Sequence, residues 1–176
     1  AKTCSIPAME YENATMIVVP LPWEVTVSYK AGTGSGPRAV LEASSQIDLF
    51  HREIKDIWKL GIAMLPIPAT IYEENKVLRE LAESHIQSLE NQTETEANKI
   101  IVDKINESCE NLNIYVKSIC SRLLREGKLV GILGGDHSTP LGLIKAVGEH
   151  YGDFGILQID AHADLRKAYE GFTYSH

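Results

Sequence analysis

Two mainly apolar runs, residues 129–133 and 154–159, flank a helix-like segment at 140–147. No other feature limits the fold as tightly. Strands without polar alternation are buried on both faces, and strand–helix–strand order with such strands specifies a parallel sheet. In open parallel sheets, ligands bind beyond the carboxyl ends of the strands. Gly134, Gly135, Asp136, His137 and Ser138 follow the first run, and Asp160, Ala161, His162, Ala163 and Asp164 follow the second. Histidines and carboxylates therefore gather at neighbouring strand ends.

Upstream, residues 16–19 read as a short buried strand stopped by Pro20 and Pro22. A glycine-rich loop at 32–36 leads to Pro37, which opens a helix running to about Ser45. Residues 47–50 and 61–65 read as two further short strands, the latter closed by Pro66 and Pro68. From about residue 73 to 126 the pattern is helical. Val77, Leu78, Leu81 and Ile86 mark one amphipathic helix, and the polar run 91–96 a turn. Ile101, Ile105, Cys109, Leu112, Val116, Ile119 and Leu123 fall on one stripe of a second helix, with Gly127 as its C-terminal stop. That stripe is core packing against a sheet; a partner-binding coiled coil is the alternative.

The chain length of 176 residues fits one domain with a sizeable core. A formal net charge of −7 argues against a nucleic-acid partner, because phosphate binding needs a basic face, and suits a cationic substrate. No apolar segment reaches membrane-spanning length and residues 1–7 hold no signal-peptide core, so a cytoplasmic protein with no membrane partner is expected. Cys4, Cys109 and Cys120 show no metal-type or redox pairing, and read as apolar fillers in a reducing compartment.

If strand geometry persists through residues 160–164, Asp160, His162 and Asp164 point to one side and meet. Carboxylate oxygen with imidazole nitrogen, and no thiolate, suits Mn, Zn or Fe. Three ionisable groups beside an apolar strand are costly to bury unless something pairs them, and a divalent cation does so. A loop that exposes all three to water is the bland alternative, as is a capping loop for His137. Gly32, Gly34 and Gly36 fit neither a P-loop nor a dinucleotide fingerprint and read as a flexible or substrate-flanking loop. Trp23 and Glu24 either line a pocket mouth or simply pack and solvate. His51, His85 and His150 read as surface residues, and no nucleophile elbow surrounds Ser138.

The Gly-Gly-Asp-His-Ser of 134–138 and the Asp-Ala-His-Ala-Asp of 160–164 resemble two signature motifs of the arginase–agmatinase ureohydrolases. Tyr174, Ser175 and His176 are similar to that family's Ser-His segment, and residues 23–37 to the agmatinase-type loop leading to Gly-Pro-Arg. The likeness covers most of the chain outside residues 85–110. It implies an α/β fold, a three-layer α/β/α sandwich with a mainly parallel central sheet, incomplete here, in a single domain over residues 1–176. It implies His137 as ligand to one Mn²⁺ and His162 to a second, with Asp160 and Asp164 as the remaining carboxylates, at least one bridging. Asp136 would orient the ligands. Asp164 and His176 are the implied catalytic proton carriers.

The implied reaction is cleavage of a guanidinium C–N bond, by water activated on paired cations, to urea and an amine. Agmatine to putrescine leads, on the upstream likeness alone. Arginase-, guanidinobutyrase- or formiminoglutamase-like substrates are alternatives, as is an inactive binding or regulatory relative. A homo-oligomer, trimer or hexamer, is also implied. The family's third motif, an Asp-x-Asp, and a later glutamate are not found, so the sequence is expected to be the N-terminal part of a longer enzyme. The isolated chain is expected to bind metal poorly and not to catalyse.

Overall fold

A computed structural model describes residues 10–48 and 50–175. Its centre is a parallel sheet whose described strands run in the order β2-β1-β3: β1 Met16–Leu21, β2 Ile62–Met64 and β3 Leu129–Gly134. β1 is central because it is flanked on both sides, Ile17 facing Ala63 on one strand and Val130 on the other. Its β-branched residues suit that place, and Ile17, Val19 and Leu21 are buried.

Pro20 does not end β1 as the sequence suggests; the strand runs on to Leu21. Val18 accepts from Leu65 on the β2 side, and Leu21 accepts from Gly135 on the β3 side. Even-numbered residues of β1 therefore face β2. That strand has ended at Met64, opposite Val18, so the N–H that proline lacks has no ladder partner to lose.

The described residues form four α-helices around the sheet: α1 Gly36–Ala43, α2 Ala69–Glu90, α3 Glu96–Arg125 and α4 Leu141–Tyr151. The long helical region is two helices, broken at 91–95, because Thr95 and Asn98 form a reciprocal capping box that restarts the chain as α3. α3 ends where expected: Gly127 takes φ +73°, and the N–H groups of Gly127 and Lys128 bond back to Leu124 and Leu123. On the α3 stripe Ile105, Cys109, Leu112, Val116 and Leu123 are buried, and they join β1 and Leu78 and Ala82 of α2 in one apolar cluster. Val77 of the α2 stripe faces outward instead. Cys109 and Cys120 are free and buried, as the filler reading expects of them, while Cys4 lies outside the described residues. Burial pushes the Cys109 thiol up to about 12, and the nearby Asp136 adds to the effect.

Two expected strands do not form. The described residues of 47–50 follow a short 3₁₀ turn, with Ile47 and Phe50 exposed; Leu49 lies outside the described residues. Residues 154–159 have no ladder partner among the described residues, and Ile156, Leu157 and Ile159 are exposed. Apolar composition alone does not make a strand: it needs a neighbour to receive its backbone hydrogen bonds.

Candidate metal centre

β3 delivers its C-terminal end to the site through a tightly built turn. Gly135 donates its N–H to Leu21, and Asp136 donates to Trp23, so the turn follows the end of β1 closely. A Cβ at Gly135 would lie 1.7 Å from the Trp23 carbonyl oxygen. Asp136 is buried, and its Oδ1 accepts from the Ser138 N–H at 3.0 Å and the Ser138 hydroxyl at 2.6 Å. The Thr139 hydroxyl donates to the Asp136 carbonyl at 2.9 Å. These bonds close the turn around His137 and set its imidazole outward, beyond the carboxyl end of the strand, where ligands of parallel sheets bind.

His137, Asp160 and Asp164 come together, with one donor atom of each within 4.8 Å of the others. His137 Nδ1 lies 3.2 Å from Asp160 Oδ2 and in direct contact with Asp164 Oδ2. Two carboxylates converging on one imidazole repel each other unless a positive charge sits among them. This is a hard-oxygen and imidazole donor set of the kind that holds a divalent ion.

The route to that convergence differs from the strand expected. The His162 N–H donates to Asp160 Oδ1 at 2.8 Å, an Asx turn that bends the chain at 160–162. The bend breaks the two-residue alternation. His162 therefore swings out, its side chain 76% exposed and its Nδ1 3.8 Å from Asp160 Oδ1. Asp164 returns to the site with φ +52°, a left-handed conformation that aspartate tolerates better than most residues. Three of the four expected donors thus meet, and His162 stands at their edge. His176, the implied proton carrier, lies outside the described residues.

Beside Asp164 opens a cavity of about 840 Å³ lined by Ser28, Tyr29, His162, Asp164, Tyr169 and Ser175, among others. A second hollow of about 460 Å³ adjoins it at Asp164, lined by His137, Leu141, Ile144 and residues 156–159 among others. Trp23 does not line the mouth: it is buried in the core. Glu24 holds the glycine loop. Its Oε2 accepts from the N–H groups of Gly32 at 2.6 Å and Gly34 at 3.0 Å, and from the Thr33 hydroxyl at 3.1 Å.

Some cavity residues carried no signal in the sequence. Ser28 and Tyr29 follow β1, so their place at its carboxyl end was the only available clue. Thr26 is buried, and its hydroxyl donates to the Tyr174 carbonyl at 3.0 Å while its own carbonyl accepts from Ser175. The Tyr174 hydroxyl bonds Glu110, which together with burial pushes its pKa up to about 12. His85, read as a surface residue, is buried at 4% exposure between α2 and the turn at 169–172.

The chain is similar to several known proteins. An N(1)-aminopropylagmatine ureohydrolase of Thermus thermophilus is 32% identical over 171 residues, which is 94% of this chain and 45% of that protein. An agmatinase of Bacillus subtilis is 28% identical over 171 residues, 95% of this chain and 46% of its own length. The crystal structure of an agmatine ureohydrolase from Thermoplasma volcanium superposes with a TM-score of 0.60 at 20% identity, over 98% of this chain and 46% of that one, a likeness of fold. The chain spans about half the length of the curated relatives it matches. No helix among the described residues is long and apolar enough to cross a membrane. The model of the arginase family matches residues 14–176, both motif segments included, and the chain belongs to the arginase family.

Proposed function

We propose that the whole protein is a metal-dependent ureohydrolase that cleaves a guanidinium C–N bond to urea and an amine, with agmatine as substrate and putrescine as product. One observation carries the reading: in a member of the arginase family, His137, Asp160 and Asp164 converge beyond the end of β3, beside a cavity. His137, Asp160 and Asp164 would hold a divalent ion, and His162, at their edge, would turn inward to a second; Mn²⁺ is the ion proposed for both positions. When bound, such ions lower the pKa of water toward neutrality and stabilise developing negative charge.

The chain's own residues supply the rest. Asp136 fixes the turn that aims His137. Asp164 would hold a proton drawn from water and release it to the leaving amine, with His176 as the alternative carrier. Tyr169, Ser175 and Tyr29 form the wall against which a cationic guanidino substrate lies, and the net charge of −7 favours its approach. A cytoplasmic location suits the free, buried Cys109 and Cys120. A homo-oligomer, trimer or hexamer, belongs to the same proposal.

N(1)-aminopropylagmatine is the second reading for the substrate, favoured by the 32% identity to the Thermus thermophilus relative. The test is urea release by the Mn²⁺-loaded whole protein from agmatine, N(1)-aminopropylagmatine, arginine, guanidinobutyrate and formiminoglutamate. Urea from agmatine, lost in His137→Ala, is the expected result. Urea from the aminopropylated substrate alone selects the second reading. No product from any of them defeats the ureohydrolase assignment.

A further inference from the structure

The turn at 169–172 presents one face to the cavity and the other to the helices. It is closed by two backbone bonds, Tyr169 to Phe172 at 3.1 Å and Phe172 to Tyr169 at 2.8 Å. Tyr169 at its start and Ser175 just after it both line the cavity beside Asp164. The residues between them are gripped from behind. His85 Nε2 of α2 lies 2.9 Å from the Glu170 carbonyl. Asn106 of α3 bonds twice, its Nδ2 donating to the Gly171 carbonyl at 3.1 Å and its Oδ1 accepting from the Thr173 N–H at 2.8 Å. Phe172 is fully buried, edge-to-face with the His85 ring at 5.4 Å between centroids.

The hydrogen-bond network assigns the His85 proton. Asn98 Oδ1 accepts from the Thr95 N–H at 2.8 Å in the α3 capping box, which leaves Asn98 Nδ2 facing His85 Nδ1 at 3.3 Å. An amide NH₂ only donates, so Nδ1 accepts and the ring proton sits on Nε2, donated to Glu170. The cap of α3, the buried imidazole and the cavity wall thus form one chain of bonds.

We propose that His85 and Asn106 are positioning residues that hold the turn at 169–173 so that Tyr169 and Ser175 form a preformed substrate wall. The assignment rests on the ureohydrolase reading. Neither residue touches the metal donors. Releasing the turn lowers the fraction of molecules with a competent wall. Apparent substrate affinity falls by that fraction, whereas a saturating substrate restores the wall and the turnover rate with it.

Asn106 is only half-buried, so Asn106→Ala is expected to fold. It should raise KM for the guanidino substrate about tenfold, the scale of two lost hydrogen bonds, and change kcat less than about threefold. Mn²⁺ affinity, measured by calorimetry, should stay the same. His85→Leu should act like Asn106→Ala, and His85→Gln, which keeps a donor toward Glu170, should recover most of the loss. Urea production by the unaltered protein together with an unchanged KM in Asn106→Ala overturns the assignment alone. A parallel loss of Mn²⁺ affinity also overturns it, since the turn would then be serving the metal donors. No urea from the unaltered protein defeats the functional reading first and this assignment with it.

Discussion

Substituting Gly135 by alanine tests how the site is attached to the sheet. The added Cβ would lie 1.7 Å from the Trp23 carbonyl oxygen, 2.5 Å from its carbonyl carbon and 2.8 Å from its nitrogen. All three are backbone atoms at the end of the central strand, so no rotamer change relieves the clash. Ordinary contact begins near 3.4 Å, so the turn and the β1 end must separate by the difference between 1.7 and 3.4 Å. That movement breaks the Gly135 bond to Leu21, at 3.1 Å, and the Asp136 bond to Trp23, at 2.7 Å. Overpacking costs about 1–3 kcal/mol, and each lost bond about 0.5–1.5 kcal/mol, for a total of about 2–6 kcal/mol. His137 moves with the turn, so Mn²⁺ binding falls as well. Urea unfolding followed by circular dichroism gives the first quantity and calorimetric titration the second. Gly155→Ala is the control: its Cβ meets nothing within 4 Å and its φ is ordinary, so its effect should stay within about 0.5 kcal/mol. Equal stabilities for the two variants would refute the close-approach account.

Ile105 is fully buried on α3, and Ile105→Ala should cost about 2–5 kcal/mol in urea unfolding; a cost below about 1 kcal/mol would mean that the helix stripe is not core. His162→Ala should weaken Mn²⁺ binding less than His137→Ala, because His137 alone faces both carboxylates; a larger loss at His162 in calorimetry would contradict its peripheral placement. The Glu170 carboxyl is raised, chiefly by burial, and its Oε2 is buried without a hydrogen-bond partner. A folded-state pKa above the unfolded one favours folding while the group is protonated, and stability falls as pH climbs from the unfolded value through the folded one. Glu170→Gln should therefore raise the melting temperature at neutral pH, with the gain vanishing below about pH 4. A gain that does not vary with pH in scanning calorimetry would place its origin elsewhere.

Much of the framework was legible because long elements carry redundant signals. The α3 stripe repeats its apolar spacing over several turns, and residues such as Ile105, Val116 and Leu123 are buried as expected. β3 and α4 follow the strand–helix order read from the last third. Short elements carried no such redundancy. The run at 47–50 has strand-like composition, yet Ile47 and Phe50 are exposed. His85 was misread because its neighbours in sequence are polar, whereas its burial comes from the turn at 169–172, 85 positions away. Asn106 and Thr26 carry no local signal for the same reason: each bonds a segment distant in sequence, residues 171–173 and 174–175 respectively.

The donor set shows most sharply where periodicity stops being informative. Alternation along a strand is a collective property, enforced by a neighbour that fixes every second carbonyl and N–H. Among the described residues, 154–159 have no such neighbour to carry the alternation into 160–164. Local turn chemistry takes over: Asp160 binds the His162 N–H with one carboxylate oxygen and faces His137 with the other. The chain then reverses through the left-handed Asp164. Both aspartates reach the imidazole by this path, and the residue between them is turned out. Asp160 thus has a double task that strand geometry does not require, bending the backbone through Oδ1 while supplying Oδ2 to the site. Asp160→Asn keeps an acceptor for the bend while removing the charge, so it should preserve the turn at 160–162 and lose metal affinity. Asp160→Ala should lose both, seen as increased amide exchange at His162, and a protected His162 amide in that variant would show that the bend does not depend on the carboxylate.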